Sequence, residues 1–168
     1  MDPPRSDWVR SALLTYEGPL TRYAARITGD AERARDIVQD TFVRLCREEP
    51  ARLNGRLAEW LFTVCRHRAL DVQRKEHRMT ALNEAELDQQ ESPAPSPAAA
   101  AEQRESAGEL VRLLATLPVN QREVIRLKFQ NDLSYQEISA VTGLSVSNVG
   151  VLSHTAIKPL RSKMQRDE

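Results

Sequence analysis

Net charge is the first thing this chain lacks. Twenty-four Lys and Arg balance twenty-four Asp and Glu, whereas a self-standing nucleic-acid-binding domain usually carries a clear basic excess. Two cysteines in 168 residues exclude a disulfide framework. Cys65, His67 and His77 also lack the paired-ligand spacing of a zinc site, so neither metal nor cofactor is expected. Cys46 and Cys65 both fall within helical apolar patterns, which predicts two reduced, buried thiols. No apolar run approaches the ~20 residues of a membrane span, and Met1-Asp-Pro-Pro-Arg5 has no signal-peptide core. A cytoplasmic protein without membrane insertion is expected. Phosphate-cradling loops, metal clusters and nucleophile–base motifs are missing, which argues against an enzyme. Strand-like alternation is missing too, and aromatics make up only 5% of the residues.

What is present is helical. The pattern predicts an all-α chain of two small helical domains joined by a flexible, acidic, Pro/Ala-rich linker. The expected boundaries are 1–78, 79–106 and 107–168. A first helix is predicted from Trp8 towards Glu17 and a second from Pro19 to Thr28. Asp30 caps a third, which buries Ala34, Val38, Phe42 and Leu45 and shows Arg35, Asp36, Gln39 and Asp40 outward. The loop Arg52 to Arg56 leads into a fourth, Ala58 to about His77, with Trp60, Leu61, Val64 and Ala69 on its apolar side. From Leu61 to Thr80 five Arg or Lys face two acids, and from Thr80 to Leu110 seven acids face one Arg. The overall balance therefore hides a basic segment followed by an acidic one. Pro93, Pro95 and Pro97 stop any helix in the linker, which fully extended at ~3.3 Å per residue would span about 90 Å.

In the second domain Leu110, Leu113, Leu114 and Leu117 form an apolar stripe ended by Pro118. Asn120 and Glu123 predict a capping box for the next helix, with Val124, Ile125, Leu127 and Phe129 as its apolar residues. Ser134 and Glu137 make another capping box. Ile138 and Val141 then face inward, and Gly143 supplies a left-handed stop. Ser145 or Ser147 opens a last helix with Val149, Leu152, Ala156 and Leu160 inside, where Pro159 should end or kink it. Its other face carries Ser147, Asn148, Val151, His154, Thr155 and Lys158, the small polar set that a helix-turn-helix presents to base edges in a major groove. An ordinary helical hairpin in a core would share the caps and the turn.

Three segments together resemble bacterial RNA polymerase sigma factors of the extracytoplasmic-function (ECF) group. They are Asp30-Ala-Glu-Arg-Ala-Arg-Asp-Ile-Val-Gln-Asp-Thr-Phe42; Trp60-Leu-Phe-Thr-Val-Cys-Arg-His-Arg-Ala-Leu-Asp71 with Arg74-Lys-Glu-His-Arg78; and Leu117-Pro-Val-Asn-Gln-Arg-Glu-Val-Ile-Arg-Leu127 with the helix-turn-helix. The resemblance implies a non-enzymatic initiation factor. Asp36, Gln39 and Asp40 would dock on the β′ clamp helices of core RNA polymerase, and the second domain on the β flap. Arg52, Asn54, Arg56, Arg66, His67, Arg74, Lys75 and Arg78 would hold melted −10 DNA, with Asn54 offering donor and acceptor to a flipped base. Ser147, Asn148, Val151, His154 and Lys158 would read the −35 duplex. The resemblance also implies promoter DNA and an anti-sigma factor as partners, and a linker threaded through the polymerase's nucleic-acid channel.

The chain departs from the family in two places. His67 stands where Asn is frequent, and the last helix carries Gly150, Leu152, Thr155 and Ile157 where many family members carry several Arg or Lys. Exposed aromatics for base stacking, worth ~1–3 kcal/mol per base, are few, which predicts weaker melting and a specialised factor serving few promoters. The competing reading is a free-standing helix-turn-helix regulator with a helical sensor domain. The balanced charge and the Asp36/Gln39/Asp40 face argue against it.

Overall fold

Pro19 does not break the first helix. In the computed structural model, which describes residues 4–84 and 106–166, α1 runs unbroken over Arg5–Thr28 with Pro19 inside it, where two helices were expected. Gly18 explains this. Besides crowding the carbonyl four residues back, a proline clashes with the Cβ and N–H of the residue before it, and Gly18 has no Cβ to add to that strain. The carbonyl of Thr15, left without its donor, belongs to an exposed residue. Gly29, at φ 73°, closes α1 by donating its N–H to the Ala25 carbonyl at 2.7 Å.

The chain divides into two compact units, Met1–Gln90 and Glu91–Glu168. In the first, the Asp30 carboxylate accepts from the N–H groups of Glu32 and Arg33 and so starts α2 (Ala31–Leu45). Ala34, Val38, Phe42 and Leu45 are buried as the spacing predicts, together with Ile37 and Thr41. The helix stops at Leu45. Cys46 therefore falls in the turn and is exposed rather than buried. A single 3₁₀ turn, Pro50–Leu53, buries Leu53 and leads into α3 (Leu57–Glu84).

α3 passes the expected domain boundary at 78, because no Gly or Pro interrupts the chain between Leu57 and Ser92. The rest of the expected linker, 85–105, lies outside the described residues. Leu61, Phe62, Cys65 and Ala69 form the buried face of α3, while Trp60 and Val64 are half-buried at its edge. The rings of Tyr23 and Phe62 meet edge to face at 5.3 Å and 69°. Gln73 Nε2 donates to the Ile27 carbonyl at 3.0 Å. The Cys65 thiol points at the Leu20 carbonyl, 3.9 Å away, and burial pushes its pKa up to about 12.

In the second unit α4 (Ser106–Ala115) ends before Pro118, and α5 (Val119–Ile125) starts directly after it. Pro118 is extended, at φ −54° and ψ 151°, and no side chain caps this helix. Asn120 thus sits inside the first turn instead of serving as a cap. Leu114, Leu117, Ile125 and Ala156 form a core cluster, with Ile157 and Leu160 packed on it. The side chain of Leu110 lies outside the described residues.

α5 then widens into a π turn, Arg126–Gln130. Its i→i+5 spacing shifts the phase, so Phe129, four residues after buried Ile125, comes out 57% exposed rather than joining the core. Leu133 takes up the core position, its N–H bonded to the Leu127 carbonyl at 3.0 Å. Asp132, before it, adopts a left-handed φ of 55°. α6 (Tyr135–Thr142) and α7 (Val146–Arg166) complete the unit. Pro159 lies within α7 and does not end it. No strand occurs among the described residues.

Two outcomes test this packing. A thiol reagent at pH 8 should modify Cys46 in the native protein and reach Cys65 only on unfolding. Because an unfolded thiol ionises near 9 and this one only near 12, stability should also fall as pH climbs through that window. Equal labelling of both thiols would contradict the fold. Phe62→Ala should cost about 3–5 kcal/mol of stability in denaturant titration; a loss below about 1 kcal/mol would place Phe62 outside the core.

Candidate nucleic-acid interface

Each unit turns one helical face outward. On α2, Asp36, Gln39 and Asp40 are exposed, as their phase opposite Ile37, Val38 and Thr41 requires. The Asp40 carboxylate is already engaged: Arg68 of α3 donates to Asp40 Oδ2 at 3.3 Å, with the two side chains 47% and 55% exposed. Arg33 and Glu76 form a second ion pair across the same seam. No local signal in the sequence marks Arg68, because its partner lies 28 positions away in the chain.

The loop before α3 is shaped from both ends. Leu53 anchors the 3₁₀ turn in the core, and Gly55 takes a φ of 77° that L residues rarely adopt. The Arg56 N–H reaches the Leu53 carbonyl at 2.9 Å, and the Arg56 carbonyl accepts from Trp60 at 2.9 Å to open α3. Arg52, Asn54 and Arg56 are left exposed.

Along α3, His67, Arg74, Lys75 and Arg78 are exposed and recur at helical spacing on one face, with Asp71 among them and 3.7 Å from Arg74. Arg66 stands a quarter turn away and is half-buried with interactions of its own. At 1.5 Å per residue, Arg56 and Arg78 lie about 33 Å apart along the helix. The loop and the basic face therefore form an extended track, a geometry suited to successive phosphates of a strand. Among the described residues no cluster of His, Cys, Asp or Glu could hold a metal ion, and no helix is long and apolar enough to cross a membrane.

The second unit holds its outer helix by local chemistry. Ser134 Oγ accepts from the Glu137 N–H at 3.1 Å, and Glu137 Oε1 accepts from the Ser134 N–H at 3.0 Å, which completes the capping box. Gly143 closes α6 at φ 79°. The turn is tied by Ser139 Oγ, which donates to the Leu144 carbonyl at 2.5 Å. Ser145 Oγ accepts from the Asn148 N–H at 3.1 Å, which identifies Ser145 as the residue that opens α7. Val149, Ser153 and Ala156 are fully buried, and Leu152 and Leu160 are half-buried. Tyr135 crosses from α6, its hydroxyl 3.4 Å from Ser153 Oγ and its ring under the Lys128 ammonium at 5.0 Å.

The opposite side of α7 exposes Ser147, Asn148, Val151, His154, Thr155 and Lys158. They fall within about a third of the helix circumference over roughly 17 Å of length. Their chemistry suits base edges: an amide for bidentate bonding, hydroxyls for either role, and a valine for a methyl. Cations are confined to the end of the stripe, at Lys158 and the exposed Arg161.

Comparison with known proteins assigns both units. The family model described as Sigma-70 region 2 matches residues 13–79, and that described as Sigma-70, region 4 matches residues 107–158. ECF RNA polymerase sigma factor SigX of Bacillus subtilis is 29% identical over 157 residues, covering 90% of this chain and 80% of its own length. ECF RNA polymerase sigma factor SigL of Mycobacterium tuberculosis is 29% identical over 165 residues, covering 94% and 89%. In fold, the chain is similar to the sigma factor RpoE of Bartonella quintana, solved in complex with the anti-sigma factor NepR, with a TM-score of 0.64 at 21% identity over 95% of this chain and 98% of that one. With region 2 and region 4 each on its own helical unit, and with ECF relatives aligned along nearly its whole length, the chain belongs to the extracytoplasmic-function group of RNA polymerase sigma factors, which direct promoter-specific initiation of transcription.

Proposed function

We propose that the two units divide the work of initiation. The first, within the expected 1–78, docks on the β′ clamp helices of core polymerase through Asp36, Gln39 and Asp40. It holds melted −10 DNA along Arg52, Asn54, Arg56, Arg66, His67, Arg74, Lys75 and Arg78. The second, within 107–168, seats against the β flap and reads −35 duplex through Ser147, Asn148, Val151, His154 and Lys158. The intervening 79–106 serves as the tether. The factor acts in the cytoplasm, has no catalytic role of its own, and is held in check by an anti-sigma partner, as the complex of its structural neighbour with NepR suggests.

The observation that carries this reading is the contrast between the two exposed faces. The α2 face is led by carboxylates, which repel DNA and suit arginines on a protein through charge-assisted hydrogen bonds. The α7 face is uncharged over its first turns and carries groups matched to base edges. A chain whose α2 carboxylates and α7 base-edge groups lie on separate units suits two partners held at once.

The division is testable with holoenzyme on promoters selected from a random DNA pool. Asn148→Ala should lower −35-dependent promoter binding by roughly 5- to 100-fold, the worth of one bidentate base contact, and leave affinity for core polymerase unchanged. Asp36→Asn should do the reverse, weakening core binding about ten-fold while leaving the selected −35 sequence the same. Loss of core binding in Asn148→Ala would refute the division.

A further inference from the structure

A helix-turn-helix brings the N-terminal residues of its second helix to the base edges. α7 begins at Val146, so Ser147, Asn148 and Val151 stand there, all exposed. No arginine or lysine accompanies them. The first cation of the helix is Lys158, roughly 17 Å further along than Ser147. That gap has a chemical meaning. Guanine presents two acceptors, O6 and N7, and is read most often by a bidentate Arg or Lys. The first turns of α7 offer neither. His154 can donate one hydrogen bond to N7, but adenine carries N7 as well, so His154 does not separate the two purines. The hydroxyls of Ser147 and Thr155 donate or accept and suit either.

Asn148 and Val151 discriminate more sharply. The Asn148 amide matches the N6 donor and N7 acceptor of adenine, whereas guanine shows it two acceptors and leaves the amide oxygen unpaired. The cap that opens α7 also sets this residue, since the Asn148 N–H donates to Ser145 Oγ at 3.1 Å. Val151, 61% exposed, is the apolar member of a polar stripe. A thymine methyl would cover it, while cytosine would bring an N4 donor that valine cannot satisfy. The two residues lie about 4.5 Å apart along the helix, against roughly 3.4 Å per base pair, so they fall on neighbouring pairs.

We propose that the duplex element read by α7 is led by A·T pairs: an adenine under Asn148, a thymine under Val151 on a neighbouring pair, and no position that demands guanine. The inference rests on the −35 reading of this face and adds to it the bases that are read. Selection by such a stripe depends on one donor–acceptor pattern and one methyl group, not on charge. Polymerase carrying this chain would pass over upstream elements built on guanine.

The test uses holoenzyme and promoters selected from a random DNA pool. Their upstream element should carry adenine beside thymine, with no position where guanine is favoured by the roughly ten-fold that a bidentate contact gives. Modified bases in the selected duplex then assign each contact. Deazaadenine, which lacks the N7 acceptor, should lower affinity roughly 5- to 100-fold for the native chain and have no further effect with Asn148→Ala. Deoxyuridine, which lacks the methyl, should lower it about four-fold and have no further effect with Val151→Ala. Asn148→Arg should move the selected purine from adenine to guanine. Both residues are exposed, so these variants keep the fold. A favoured guanine in the element would overturn the inference and leave the −35 reading standing. Full affinity of the native chain for both modified duplexes would overturn it too. If neither Asn148→Ala nor Val151→Ala changes the selected upstream element, the −35 reading fails and takes this inference with it.

Discussion

Burial of one face of α2 is the constraint on which the first unit depends. Ala34, Ile37, Val38, Thr41, Phe42 and Leu45 must all face α1 and α3, and a helix with 3.6 residues per turn then has no freedom over what it displays. Asp36, Gln39, Asp40, Val43 and Arg44 are carried outward together as a consequence. The same packing brings Arg68 of α3 to Asp40 and Glu76 to Arg33. Each of these exposed pairs is worth at most about 1 kcal/mol, so the apolar face, not the ion pairs, sets the fold. The ion pairs decide instead how the displayed charges are held before a partner arrives.

The second unit obeys the same logic with a different outcome. Val149, Ser153 and Ala156 fix the rotation of α7, and the capping box at Ser134, the left-handed Gly143 and the Ser145 cap fix where it begins. The face that results is well suited to bases and poorly supplied with cations. Phosphate contacts give most of the affinity of a DNA-binding module and position it. A face with Lys158 and Arg161 only at its far end has little to contribute there. Under the proposed division of work, covalent connection to a unit docked on polymerase would supply the missing affinity as local concentration. Chain neutrality, which counts against a self-sufficient DNA-binding protein, is consistent with this arrangement.

Periodicity made much of this legible from sequence. The buried and exposed faces of α2, the caps at Asp30 and Ser134, the stop at Gly143 and the displayed stripe of α7 all follow from local rules that tertiary packing does not override. The failures share a different cause. Pro19 was read as a boundary because the relief given by Gly18 is a property of the pair, not of the proline. Cys46 and Phe129 were assigned to the core by extending a helical phase past the points where the helix ends or widens. Asn120 and Glu123 have capping-box spacing, but Pro118 already fixes the entry to α5. Phe62 and Leu133 join the core through packing between elements, and Arg68 reaches Asp40 the same way. Phe62 could have been found from its helical phase with Cys65 and Ala69, whereas the Arg68–Asp40 contact has no signature in neighbouring residues.

Promoter binding by the intact chain, measured with and without core polymerase at physiological salt, tests the central claim most directly. The chain alone should leave selected promoter DNA unbound at concentrations where chain and core polymerase together bind it fully. Specific binding by the chain alone, as tight as that of the holoenzyme, would contradict it and would restore the reading of a self-sufficient helix-turn-helix regulator.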